Sequence, residues 1–147
     1  MQSIIEKTKE VLGTISENVN DLLQNEKNEV AQEFKEATAD RANAMLEEIT
    51  QLAETINKAG FEVAALNITV GLPPVFAMNF TFVRDISEEE EETLLENYKD
   101  KKISIIILKT LFKSTLYAQK LKMGEFKLSE VDIELGIIPD VILKFTK

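Results

Sequence analysis

The chain has no cysteine and no histidine. That double absence removes disulfides, thiolate nucleophiles, Ser-His and Cys-His catalytic pairs, and the common zinc sites built from thiolate and imidazole. Glycine is scarce and scattered, at Gly13, Gly60, Gly71, Gly124 and Gly136, so there is no glycine-rich loop to wrap a phosphate. Long apolar runs are missing too. A membrane-spanning helix needs about 20 apolar residues, and the aliphatic run Ile105-Ile106-Ile107-Leu108 has four. Basic residues are outnumbered, 17 against 26 acids, for a net charge of −9. That balance opposes nucleic acid and anionic lipid, because phosphate contacts need Lys and Arg. The opening MQSIIEKTKEVLG alternates charges with apolar residues and offers no signal-peptide core. The expectation is a cytoplasmic protein with no cofactor, no metal, no nucleic-acid partner and no stable membrane insertion.

What the sequence does contain is one segment written twice. Residues 61–82 and 126–147 align without a gap. Phe61 stands over Phe126, Ile68 over Ile133, Gly71 over Gly136, Pro74 over Pro139, and Phe80-Thr81 over Phe145-Thr146. Apolar residues exchange at Val63/Leu128, Leu66/Val131, Val70/Leu135, Leu72/Ile137, Phe76/Val141 and Met78/Leu143. A repeated unit specifies an architecture before any motif is sought. In each copy apolar and polar residues alternate, which reads as a hairpin with one dry face, turned through a Gly/Pro connection. Glycine there is expected to supply an unusual φ, and proline to stop further pairing.

Helical spacing governs the rest. Between Met1 and Ala59 there is no proline and one glycine, and apolar residues recur at three and four: Ile5, Leu12, Ile15, Val19, Leu22; Val30, Phe34, Ala37; Met45, Ile49, Leu52, Ile56. One long helix, or two broken near Asn25–Asn28, both fit. Unbroken, it would run roughly 85–90 Å at 1.5 Å per residue, too far for so small a domain to cover, and such a helix calls for a partner helix. A second helix opens at Ser87, where Glu90 completes a capping box and Glu88–Glu92 suit the positive end of the dipole. It is expected to run to Met123, stopped by Gly124; an unbroken helix and one with a short break near Asp100 both fit. The fold class is therefore α+β: an internally duplicated α-ββ-α-ββ chain, its four-stranded antiparallel sheet packed by long helices on one face. Residues 1–147 form a single domain, comprising an N-terminal helical extension (1–24) and two helix–hairpin repeats (25–82 and 87–147).

Two charge lines mark the helices. Lys102, Lys109, Lys113 and Lys120 fall within about 20° of a common line, and Glu29, Glu36, Asp40 and Glu47 repeat that spacing on the first helix. Stripes like these are first of all solvated faces, since exposed ion pairs are worth about 0–1 kcal/mol. The lysine line nevertheless interrupts a helix that is otherwise apolar, with Ile106 and Tyr117 on one side and Ile105, Phe112 and Leu116 on the other. Such a helix is buried on two sides, or it offers an interfacial surface with snorkelling lysines. Asp132 and Glu134 share a strand face as a carboxylate pair might, but their repeat partners are Asn67 and Thr69, which marks them as surface. No catalytic residues emerge.

The reading is a non-enzymatic domain that self-associates and binds another protein through helical surfaces. Those surfaces are Lys102, Ile105, Ile106, Lys109, Phe112, Lys113, Leu116, Tyr117 and Lys120 on the second helix, and Ile5, Leu12, Ile15, Val19 and Leu22 on the first. The alternative is a carrier for a lipid or other apolar small molecule held between helices and sheet.

Overall fold

The computed structural model describes residues 31–147 apart from Leu72. The expected N-terminal extension, with Ile5, Leu12, Ile15, Val19 and Leu22, lies outside the described residues. Residues 31–35 are helical. Then follow α1 (Ala39–Gln51), α2 (Ala53–Lys58), β1 (Phe61–Thr69), β2 (Val75–Phe82), α3 (Glu88–Asn97), α4 (Lys102–Lys120), β3 (Lys127–Leu135) and β4 (Asp140–Thr146). The class is α+β, and the strands form one antiparallel sheet in the order β1-β2-β3-β4.

Local chemistry decides where the helices start and stop. The helical stretch preceding β1 is interrupted at 36–38, where Thr38 is extended and its hydroxyl accepts the Arg41 backbone N–H. The turn takes Glu36 off the line through Asp40 and Glu47, so the expected acidic stripe is not one face; Glu29 lies outside the described residues. At α3, Ser87 and Glu90 close the capping box reciprocally. The following helix is split at 98–101: Tyr98 leaves helical geometry (φ −114°, ψ 11°), and its hydroxyl pairs with the Thr55 hydroxyl of α2 at 2.5 Å. α4 ends at Lys120, short of Met123, and Gly124 (φ 64°) serves the turn into β3 instead.

α4 has no capping side chain of its own. Glu48 of α1 replaces it, one carboxylate oxygen accepting the backbone N–H of Ser104 at 3.0 Å and its hydroxyl at 2.9 Å. That satisfies one of the orphan donors of the first turn and sets a negative charge at the positive end of the dipole. A second link joins the same elements, since Glu33 pairs with Arg41 and lies 3.6 Å from the Lys102 ammonium.

The core lies between helices and sheet. Phe61, Phe76, Met78, Phe80, Val131, Ile133, Leu135 and Val141 form one cluster with Phe34, Met45, Leu52 and Ile56 and with Ile103, Ile107, Leu108 and Leu111 of α4. Each buried side chain of this size contributes about 1.5–3 kcal/mol, so the pattern of apolar alternation determines which sheet face the helices cover. Gly60 joins α2 to β1 at φ 91°, and a Cβ there would stand 2.0 Å from the Arg84 carbonyl oxygen. The hairpin glycines behave otherwise than expected: neither Gly71 nor Gly136 has positive φ. At Gly136 an added Cβ would reach ordinary van der Waals contact with the Val75 side chain, at 3.4 Å.

The two hairpins share one register. Val63↔Phe80, Leu66↔Met78 and Ile68↔Phe76 correspond to Leu128↔Phe145, Val131↔Leu143 and Ile133↔Val141, and the bulges fall at matching places, Val63/Ala65 and Leu128/Glu130. Burial distinguishes them. Val131, Ile133 and Leu135 of β3 are buried, whereas Leu66 is half-buried and Ile68 and Val70 are exposed. The expected dry face therefore holds for β2 and β3 but only in part for the edge strand β1, where Phe61 is buried and Leu66 half-buried while Ile68 is exposed.

Candidate functional site

Between α3 and α4 lies an open groove of about 490 Å³. Glu88, Glu91 and Leu95 reach it from α3 at positions i, i+3 and i+7, and Lys109, Phe112, Lys113 and Leu116 from α4 at i, i+3, i+4 and i+7. Those spacings place each set on one helix face. Ile86, Leu95, Phe112 and Leu116 supply apolar surface, the glutamates stand on the α3 side, and the lysines stand on the α4 side. Phe112 is buried as floor, and Leu116 is 51% exposed above it. At one end the Gln119 amide donates to the Asp85 carboxylate at 3.4 Å. The Glu91 carboxyl is held above the ordinary carboxylate range, first by burial and then by the neighbouring charges of Glu88 and Asp85.

Four of the nine α4 residues singled out from the sequence, Lys109, Phe112, Lys113 and Leu116, come together here. The others lie elsewhere. Ile106 is buried in the core, and Ile105 is half-buried against it. Lys102 is exposed beside Glu33. Tyr117 is half-buried and Lys120 exposed, neither in the groove. The α3 wall and Ile86 were not anticipated. Their sequence signal was the heptad-like spacing of Glu88, Glu91 and Leu95 behind the Ser87 cap, masked by five adjacent glutamates.

The sheet face turned away from the helices is different in kind. Asn79, Asp132 and Lys144 link β2, β3 and β4, the Asn79 amide donating to Asp132 and Lys144 lying 3.0 Å from it. Burial would raise the Asp132 pKa, but the hydrogen bond from Asn79 and the hydrogen bond and charge of Lys144 outweigh it and hold the carboxyl below its usual range. Lys144 is shifted up by the same hydrogen bond. A carboxylate pinned in its ionised form by two partners ties strands together and is poorly placed for proton transfer. Among the described residues no group of three or more acidic side chains could hold a metal ion, and no helix is long and apolar enough to cross a membrane.

The α3–α4 groove thus combines apolar surface with glutamates on one wall and lysines on the other. No family model matches this sequence, and comparison with curated proteins and with solved structures likewise finds no match.

Proposed function

We propose that this chain is a non-enzymatic protein-binding domain whose α3–α4 groove receives an amphipathic helix from another polypeptide. The observation that carries this is the apolar floor of Phe112 and Leu116 between a glutamate wall and a lysine wall. The site is an open trough rather than an enclosed pocket, and a helix with its side chains is about 10 Å across. The stripe Ile5, Leu12, Ile15, Val19 and Leu22, flanked by Glu6, Lys7, Lys9 and Glu10, has the composition of such a ligand. When that stripe comes from a second copy, the same groove serves self-association. The alternative of a carrier, with an apolar ligand between α4 and the sheet, draws no support from that region, which Ile107, Leu108, Leu111 and Ile133 fill.

The matched registers and bulges of the two hairpins support an origin by duplication of one helix–hairpin unit. Duplication accounts for the frame, and function then resides where the halves differ, in the helices. The lack of cysteine supports a reducing, cytoplasmic setting.

The test is a binding titration. A fluorescent peptide of Met1–Gln24, titrated with a chain of residues 25–147, is expected to bind. Leu116→Glu should weaken that binding about tenfold, or about 1.4 kcal/mol, with an unchanged melting curve because Leu116 is half exposed. Equal affinity for the wild type and the Leu116→Glu variant would contradict the groove.

A further inference from the structure

β1 is an edge strand without the usual defences. Natural edges are blunted by lysines, prolines or inward-pointing charges. The opposite edge has them: β4 carries Asp140 and Lys144, and Lys147 follows. From Phe61 to Val70, β1 carries one charge, Glu62 near its start, and neither proline nor lysine. Its single irregularity is the bulge at Val63/Ala65. It also leaves apolar side chains partly open to solvent, with Val63 40%, Ile68 39% and Val70 93% exposed. The corresponding residues of β3 are half-buried at Leu128 and buried at Ile133 and Leu135.

We propose that β1 is a homodimerisation edge, on which a second copy of this chain pairs antiparallel about a two-fold axis near Leu66 and extends the sheet across both copies. The two ends of the strand are complementary. At the Ile68–Val70 end an apolar groove of about 360 Å³ opens between β1 and α1, walled by Ala39, Ala42 and Leu46. At the other end Val63 projects. Antiparallel pairing brings each copy's Val63 to the other's groove, so the contact is made twice.

The side-chain faces agree as well. Val63, Leu66 and Ile68 stand opposite Phe80, Met78 and Phe76, all on the helix-bearing face, with the bulge restoring the alternation between Val63 and Leu66. Counted through that bulge, pairing centred on Leu66 sets Val63 beside the second copy's Ile68, and Glu62 beside the second copy's Thr69. No two carboxylates meet. The strand itself supplies the residue that its groove takes, which selects a second copy over an unrelated strand.

The cysteine-free sequence allows a single spin label on the full chain without background. Asn67→Cys puts the label on an exposed position of β1, and Leu116→Cys puts it in the α3–α4 groove. Paired strands lie about 5 Å apart, so labels at Asn67 on two copies should broaden each other's spectrum and sharpen on dilution with unlabelled chain. Labels at Leu116 should not broaden. Light scattering of the unlabelled chain should give twice the monomer mass. Val70→Lys, at a residue too exposed to matter for folding, should weaken the dimer about tenfold, a change of about 1.4 kcal/mol. A monomeric mass at all concentrations, a dimer indifferent to Val70→Lys, or a dimer without broadening at Asn67 would overturn the proposal. A dimer that shows no broadening at Asn67 and dissociates on Leu116→Glu would be assigned to the helical groove, removing this inference while leaving the groove reading in place.

Discussion

Glu48 caps a helix to which it does not belong. Its carboxylate accepts both the N–H and the hydroxyl of Ser104, at the otherwise uncapped start of α4. Losing a capping side chain costs about 1 kcal/mol, and here the Ser104 hydroxyl would also be left buried without its acceptor. Glu48→Ala should lower the melting temperature by about 2–4 °C per kcal/mol lost, and Glu48→Gln, which keeps an acceptor, should lower it less. Equal loss in both variants would place the effect in the charge rather than the cap. This contact is not legible in the sequence, because its partners are 56 positions apart. The Ser87–Glu90 capping box is legible, because a local spacing encodes it.

Two carboxyls at this scale respond to pH in opposite senses. Asp132 has its folded pKa lowered, so its contribution to stability is complete above the ordinary value of about 3.9 and disappears as pH falls through the folded value. Glu91 has its folded pKa raised, so it favours the fold most when protonated and loses that contribution as pH rises through the folded value. Unfolding by urea at neutral pH and near pH 3, below the ordinary Asp value of about 3.9, should show wild type losing more stability on acidification than Asp132→Asn does. Identical losses would mean that the Asn79–Asp132–Lys144 ladder contributes nothing to acid sensitivity.

At the scale of elements, the break between α3 and α4 shapes the groove. Tyr98 leaves the helical path there, with its hydroxyl on Thr55, a buried residue of α2. Tyr98→Phe removes that partner and leaves a buried hydroxyl unpaired, for a cost of about 1–3 kcal/mol. The double variant Tyr98→Phe with Thr55→Val should recover part of the loss in a thermal melt. No recovery would show that the pair does not act as a unit. Periodicity and the Ser87 cap marked where α3 opens and allowed a break near Asp100, because 3.6-residue spacing and caps are local signals. In the helical stretch before β1 the observed break falls at 36–38, while the one allowed near Asn25–Asn28 lies outside the described residues. Periodicity could not say what would cover each face. A helix apolar almost all round has several ways to be buried, and the sheet took Ile107 and Leu111 while α3 and α4 together enclosed Phe112.

Taken whole, the described residues form a sheet covered on one face by helices, with β1 the less covered edge. The hairpin registers were legible because alternation of period two admits only registers that keep apolar residues on one face. The strand order and the exposed edge were not legible, since the pairing of β2 with β3 and the cover over each strand are matters of tertiary packing. This arrangement leaves the groove between α3 and α4 as the amphipathic surface on which the functional account rests. Its most direct test is to titrate an isotope-labelled chain of residues 25–147 with the unlabelled Met1–Gln24 peptide and follow backbone amide resonances. The account predicts the largest shifts at Glu91, Leu95, Lys109, Lys113 and Leu116, with Ile142 and Lys144 of β4 unmoved; shifts confined to β1 or the open sheet face, or none at saturating peptide, would contradict it.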